Sequence, residues 1–237
     1  MKVDRNTKII LGIIYLLVLT VFLYFLFSKF SYEDLTSIKF IQSNQEKLTI
    51  FKENNIFLIS LGFVIFSIFW VCMLGFGSPI ALTAGFIFGK WLGTLLTIFG
   101  LATGALCLYL IGNFFLYNLL REKFEKKFAY LESFFSDKQF VSMVIFRFVG
   151  IVPFFIQNLL PVIFNIKSKN YYFGTIIGIL PSIYIINSLG EGLASALYKF
   201  ENLPSVVGLL FLPEIYIPLI AFLIILIISF FLRKKIK

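Results

Sequence analysis

The chain has 237 residues, of which 59% are hydrophobic and 14% charged, with a formal net charge of +9. A soluble globular domain carries about 45–50% apolar and about 25% charged residues, and the mean hydropathy here is +0.96. These values exclude a water-soluble domain and a disordered chain, and they specify a protein that crosses a membrane several times.

There is no histidine. That excludes Ser-His-Asp catalysis, His-ligated zinc or haem, and a histidine pH switch. Cys72 and Cys107 sit separately in apolar runs and form no CxxC pair, so they read as small hydrophobes at helix interfaces. The embedded acids are scattered, so no metal site, cofactor or enzyme centre is expected. The basic residues flank the apolar runs, where they meet anionic lipid head groups; no nucleic-acid partner is expected.

The first apolar run, Ile9 to Phe27, follows Lys2, Arg5 and Lys8. It is too long for a signal peptide, and Leu26-Phe27-Ser28 offers no small-x-small cleavage site. It predicts an uncleaved first span with a cytoplasmic N-terminus. Ser28 to Asn55 holds four Lys and four acidic residues and predicts a surface loop or a short interfacial helix.

No charge occurs between Glu53 and Lys90. Two full spans and a turn need more than about 40 residues, and one span about 20. The stretch therefore predicts one span over Ile56 to Leu74 and then a half-depth segment. Gly75-Phe76-Gly77-Ser78-Pro79 supplies the turn chemistry, and Ile80 to Gly89 reads as a re-entrant half-helix. Trp91 to Leu120 is again uncharged. Gly85, Gly89, Gly93, Thr97, Gly100, Gly104 and Gly112 place small residues at helical spacing. They predict close helix packing, with a smooth wall for a lipid path as the alternative.

Arg121 to Lys138 is the most charged stretch, with Phe124, Phe128, Leu131 and Phe135 at helical spacing. It predicts an amphipathic helix on the membrane surface. Gln139 to Ile166 is apolar but interrupted by Arg147, Gly150, Pro153, Asn158 and Pro161. Two half-helices meeting near Pro153 fit it better than one lipid-facing span. Tyr171 to Gly190 reads as a plain span with Glu191 at its end, and Ile215 to Leu232 as the last, stopped by Arg233-Lys234-Lys235. Basic residues at both termini favour an even number of crossings. Five spans are counted, so Pro204 to Pro213 is a candidate for an extra partial crossing.

Two Gly/Pro-broken segments in corresponding places are the usual sequence mark of a transporter substrate site. Arg147 is the sharpest candidate within them. An Arg in a membrane segment costs about 2.5–3.5 kcal/mol, so it faces a cavity, a partner or an anion, or snorkels to the interface. A phosphate suits its planar, bidentate donors. Asn158 either contacts a head group or satisfies backbone freed by Pro161. Glu191 either pairs with Arg147, relays a proton, or is an interfacial charge. Lys90 beside Trp91 reads as an interface anchor, and Glu214 as an acid suited to a helix start. Asn113 is a weaker candidate.

With these residues in place, the chain resembles the DedA superfamily, and more narrowly its VTT-domain (SNARE-associated Golgi protein) branch, over roughly Leu74 to Leu193. The first motif runs from Gly77-Ser78-Pro79 through Ala84-Gly85-Phe86-Ile87-Phe88-Gly89-Lys90-Trp91-Leu92-Gly93, continued by Gly100 and Gly104. The second is Arg147 to Asn158 with Pro153-Phe154 inside, followed by Gly178-Ile179-Leu180-Pro181 and Gly190. Two departures stand out. No acid lies between Glu53 and Lys90, where many relatives have one, and Asn113 stands where Arg is frequent.

The resemblance implies an all-α integral membrane bundle with two opposed re-entrant hairpins, at about 75–90 and 139–166. They lie in a domain at 56–193, between an N-terminal anchor and polar loop (1–55) and a C-terminal helix with a basic tail (194–237). It implies a translocase or scramblase moving a phospholipid or polyprenyl phosphate between the leaflets of a cell membrane, expected to be a bacterial plasma membrane. Arg147, Asn158 and Glu191 are the expected head-group contacts. Gly77, Pro79, Gly85, Gly89, Gly93 and Pro153 are expected to shape the hairpins, with Gly77, Pro79, Pro153 and Asn158 at their tips. No GxxxxGK[ST] occurs, so transport is expected to run downhill or coupled to protons or sodium. An ion-coupled transporter of a small solute and a non-transporting assembly protein remain the alternatives.

Overall fold

The computed structural model describes residues 38–115, 132–136, 138–150, 152–199 and 210–236, with residues 17, 20, 21, 117, 122 and 208. Most of the expected first span, most of the amphipathic stretch 121–138 and half of 204–213 lie outside the described residues. The described residues are almost entirely helical.

The chain divides into two units, Met1–Asn54 and Asn55–Lys237. In the first, residues 38–54 are helical where a loop or a short interfacial helix was expected. They open a helix, α1 (Ile38–Cys72), with non-helical backbone at Asn55. The second unit holds the rest of α1, then α2 (Gly77–Phe115), α3 (Glu132–Ser136), α4 (Gln139–Val149), α5 (Phe154–Leu159), a 3-10 turn (Leu160–Val162), α6 (Ser168–Lys199) and α7 (Pro213–Ile236). Four stretches among the described residues are long and apolar enough to cross a bilayer: Asn54–Cys72, Gly77–Phe115, Ser168–Ala196 and Pro213–Phe231. This is an all-α integral membrane protein.

The turn between α1 and α2 is clipped by one side chain. The Trp70 indole N–H donates to the Phe76 carbonyl at 2.8 Å, and a side chain at Gly75 would collide with that indole. Gly77 and Pro79 then open α2, where a proline's missing N–H costs nothing. At 39 residues, a straight α2 would run about 58 Å, nearly twice the hydrocarbon core. It does not run straight. Gly89 has φ 76° and ψ 172°, a conformation essentially reserved for glycine. A Cβ at Gly93 would lie 2.8 Å from the Ala84 carbonyl oxygen, so the two arms of α2 fold against each other there. The reversal thus falls at Gly89, not at the expected Gly77–Pro79, which form the foot of the first arm.

The small residues serve packing. A Cβ at Gly100 would lie 2.7 Å from Ser67 Cβ, and one at Gly104 2.9 Å from the Ile68 carbonyl, where α1 crosses α2. A Cβ at Gly85 would lie 2.6 Å from Asn187 Cα, and one at Gly190 2.8 Å from the Phe86 nitrogen. There α6 runs backbone to backbone along the first arm, as close helix contacts in lipid require. The core gathers Leu101, Tyr109, Phe135, Met143, Phe146 and Tyr171, all almost fully buried. Phe135, expected on a surface-lying helix, stacks on Phe164 with centroids 5.1 Å apart. Outside, the protein is apolar: Phe57, Trp91, Phe211 and Phe231 are widely exposed, as befits a lipid-facing surface.

Candidate functional site

The second interrupted segment also reverses. α4 ends at Gly150, whose backbone is left-handed (φ 59°, ψ 40°), and Pro153 (φ −51°, ψ 147°) starts α5. Arg147, in the last turn of α4, then meets Asn158 of α5. Its Nη1 donates to Asn158 Oδ1 at 2.7 Å. Eleven residues of straight helix would hold these groups about 16 Å apart. The foot of the first arm of α2 borders this turn: Gly77 lies near the Phe154 ring, and Phe76 meets Phe155 edge-on, centroids 6.4 Å apart.

Arg147 is 4% exposed. Its Nη2 donates to the Tyr171 hydroxyl at 2.7 Å and its Nε to Thr175 Oγ1 at 3.1 Å. Tyr171 and Thr175 stand one turn apart on α6, and the Thr175 hydroxyl donates to the Tyr171 carbonyl at 2.7 Å. The Tyr171 hydroxyl also lies 3.1 Å from the carbonyls of Ala105 and Asn158. The guanidinium carbon sits 5.2 Å from the Tyr171 ring centroid and 5.7 Å from that of Phe154, within cation–π range. α4 comes this close to α6 because Gly178 has no side chain: a Cβ there would lie 2.6 Å from the Val144 carbonyl. Tyr109 backs the cluster, its ring stacked on Tyr171 with centroids 4.5 Å apart.

Every hydrogen-bond acceptor on Arg147 is therefore neutral. Among the described residues no carboxylate reaches it; the ion pairs lie elsewhere. Asn158 is fully buried, and its Nδ2 donor has no partner. Three of the five guanidinium N–H groups are accounted for. The arrangement thus holds a buried cation, two further guanidinium donors and an unpaired amide N–H on one reversal of the chain. Chemically it is suited to receive an oxyanion.

Glu191 is not part of this cluster. Of the alternatives read for Glu191, the pairing with Arg147 does not occur; Glu191 pairs with Lys90, Nζ to Oε2 at 3.1 Å. Nor does Glu191 end its helix, since α6 continues to Lys199. It lies under the first reversal, where a Cβ on Gly89 would stand 3.1 Å from its Oε1. Lys90, expected as an interface anchor, is its partner. Glu214 opens α7 as expected and pairs with Lys199.

Tyr171, Thr175 and Asn187 escaped the sequence reading. The only signal was polar side chains inside a run that reads as a plain span. Asn187 is fully buried, donates to the Ile183 carbonyl at 2.9 Å, and leaves its Oδ1 without a partner.

The profile of the VTT domain matches residues 74–192, about half of the chain. The chain belongs to the VTT-domain (DedA) family. A curated relative of this VTT protein, the Transmembrane protein 41 homolog of Caenorhabditis elegans, is 24% identical over 153 residues. That alignment covers 62% of this chain and 61% of the relative, so this VTT protein spans less than two thirds of the relative's length. No solved structure matches it. The matched region contains both chain reversals, the Arg147 cluster and the Lys90–Glu191 pair.

Proposed function

We propose that this protein is a lipid translocase, passing an amphiphile with a phosphate head group between leaflets, and that its two reversing segments are opposed re-entrant hairpins. In this reading Arg147 and Asn158 contact the phosphate. The Gly150–Pro153 turn lets the second hairpin part from the foot of the first and close around the phosphate, Gly89 reverses the first hairpin, and Gly85 and Gly93 keep α6 tight against it. The observation that carries the reading is Arg147, buried and, among the described residues, held only by neutral groups. A buried charge without a counter-charge is costly, and a passing phosphate is the counter-charge this site lacks. Non-helical backbone at membrane depth, which both reversals require, is tolerated where it lines a protein-bound cavity.

The test is leaflet exchange of a fluorescent phospholipid and of a polyprenyl phosphate in proteoliposomes, run beside ion-current recordings. Exchange well above that of empty vesicles is the expected result. Currents or pH changes without lipid movement would replace the reading with an ion-coupled solute transporter.

A further inference from the structure

The chain contains two cysteines, Cys72 and Cys107, and the fold brings them together from different helices. α1 and the second arm of α2 run side by side in the same direction: Val64 and Ser67 face Gly100, and Ile68 and Val71 face Gly104. One further turn carries this register to Cys72, the last residue of α1, and to Cys107 on α2. The Cys72 thiol donates to the Gly104 carbonyl at 3.8 Å, and it also interacts with the Cys107 thiol. The helices approach this closely because Gly104 has no side chain: a Cβ there would lie 3.1 Å from Ile68 Cα. Both thiols are free and half-buried.

We propose that Cys72 and Cys107 form a redox-active dithiol that closes into a disulfide and ties α1 to the second arm of α2. In the closing step two S–H bonds break and one S–S bond forms. The two electrons and two protons pass to a membrane-permeant two-electron oxidant of the diazene or quinone class, which leaves as its dihydro form. A disulfide needs its Cα atoms within about 7 Å of each other, and the backbone contact at Gly104, one turn away, is what draws these two helices so near. Cys72 closes the apolar stretch Asn54–Cys72, and Cys107 lies inside the apolar Gly77–Phe115. The oxidant that reaches them is therefore neutral and lipid-soluble, not a charged, water-borne disulfide.

The bond encloses the Gly75–Pro79 turn, the first arm of α2 and the reversal at Gly89. With the thiols reduced, packing alone holds this frame to α1. With the disulfide closed, the frame is fixed covalently, and a cross-link across a long loop removes freedom from the unfolded chain. The proposal rests neither on Arg147 nor on lipid transport.

The test is oxidation of the full-length protein in liposomes with diamide, a neutral and membrane-permeant diazene. Quenching, denaturation, maleimide labelling and intact-mass measurement follow. Untreated protein should carry two maleimide adducts and oxidised protein none, with both restored by prior reduction. The oxidised protein should stay monomeric on a non-reducing gel and unfold at a higher temperature than the reduced protein. Cys107→Ser combined with Phe99→Cys keeps two thiols but moves one by about 12 Å of helix, and it should retain both adducts. Two adducts surviving on oxidised wild type overturn the proposal. So does a loss of adducts that is equal in the relocated variant, or that appears as disulfide-linked dimers, because either would come from collisions between chains. An unfolding temperature no higher after oxidation overturns the claim that the fold accommodates the bond.

Discussion

Replacing Gly89 by alanine tests whether the first reversal depends on a single backbone conformation. At φ 76° and ψ 172° an L-residue is strained by about 1–3 kcal/mol. The new Cβ would also stand 3.1 Å from Glu191 Oε1, but that oxygen ends a flexible side chain and can yield, so backbone strain dominates. Gly62→Ala is the matched control. Gly62 lies inside α1 with nothing within 4 Å of an added Cβ, and alanine there gains about 0.8–1.0 kcal/mol of helix propensity. The two variants make the same chemical change with opposite expected signs, separated by about 2–4 kcal/mol. Thermal unfolding of purified protein in one detergent reads the difference, with Gly89→Ala below wild type and Gly62→Ala above it. A Gly89→Ala protein as stable as Gly62→Ala would refute the argument that glycine is needed for the reversal.

Tyr171→Phe removes the acceptor of Arg147 Nη2 and the hydroxyl that meets two carbonyls. It should cost about 1.5–3 kcal/mol, the worth of a hydrogen bond to a charged group, read as a lowered unfolding temperature. Gly85→Leu drives a side chain into the Asn187 backbone and should leave little folded protein by size-exclusion chromatography, whereas Gly62→Leu should not. Arg147→Lys keeps the charge but loses the planar fork that serves Asn158, Tyr171 and Thr175 together. Lipid exchange should fall by about tenfold or more while the protein remains folded.

The sequence showed where the chain stops being ordinary helix, because Gly75–Pro79 and Gly150–Pro153 are punctuated by residues with known backbone limits. It did not single out Gly89 as the reversal. Gly89 stands in a row with Gly85 and Gly93, and a glycine that accommodates a neighbour looks like one that turns the chain. Arg147 and Asn158 were legible as costly polar groups in an apolar run. Their partners were not: Tyr171 and Thr175 arrive from a helix whose composition reads as plain, and only the close approach at Gly178 brings them into range. Glu191 was misplaced for a related reason. Its position after an apolar run resembles a helix end, but α6 continues past it, and its counter-charge, Lys90, lies 101 residues earlier, brought alongside by the first reversal.

On the proposed reading Arg147, which has no counter-charge among the described residues, is neutralised by the phosphate of a passing lipid. Asn158→Asp tests it most directly, because it places a carboxylate where Asn158 Oδ1 now lies, 2.7 Å from Nη1. Asn158→Asp should unfold at a temperature equal to or above that of wild type, with lipid exchange reduced by about tenfold or more, since the cation is already neutralised. Exchange at the wild-type rate in a folded Asn158→Asp protein would contradict it, and would make Arg147 a clip that only holds the second reversal closed.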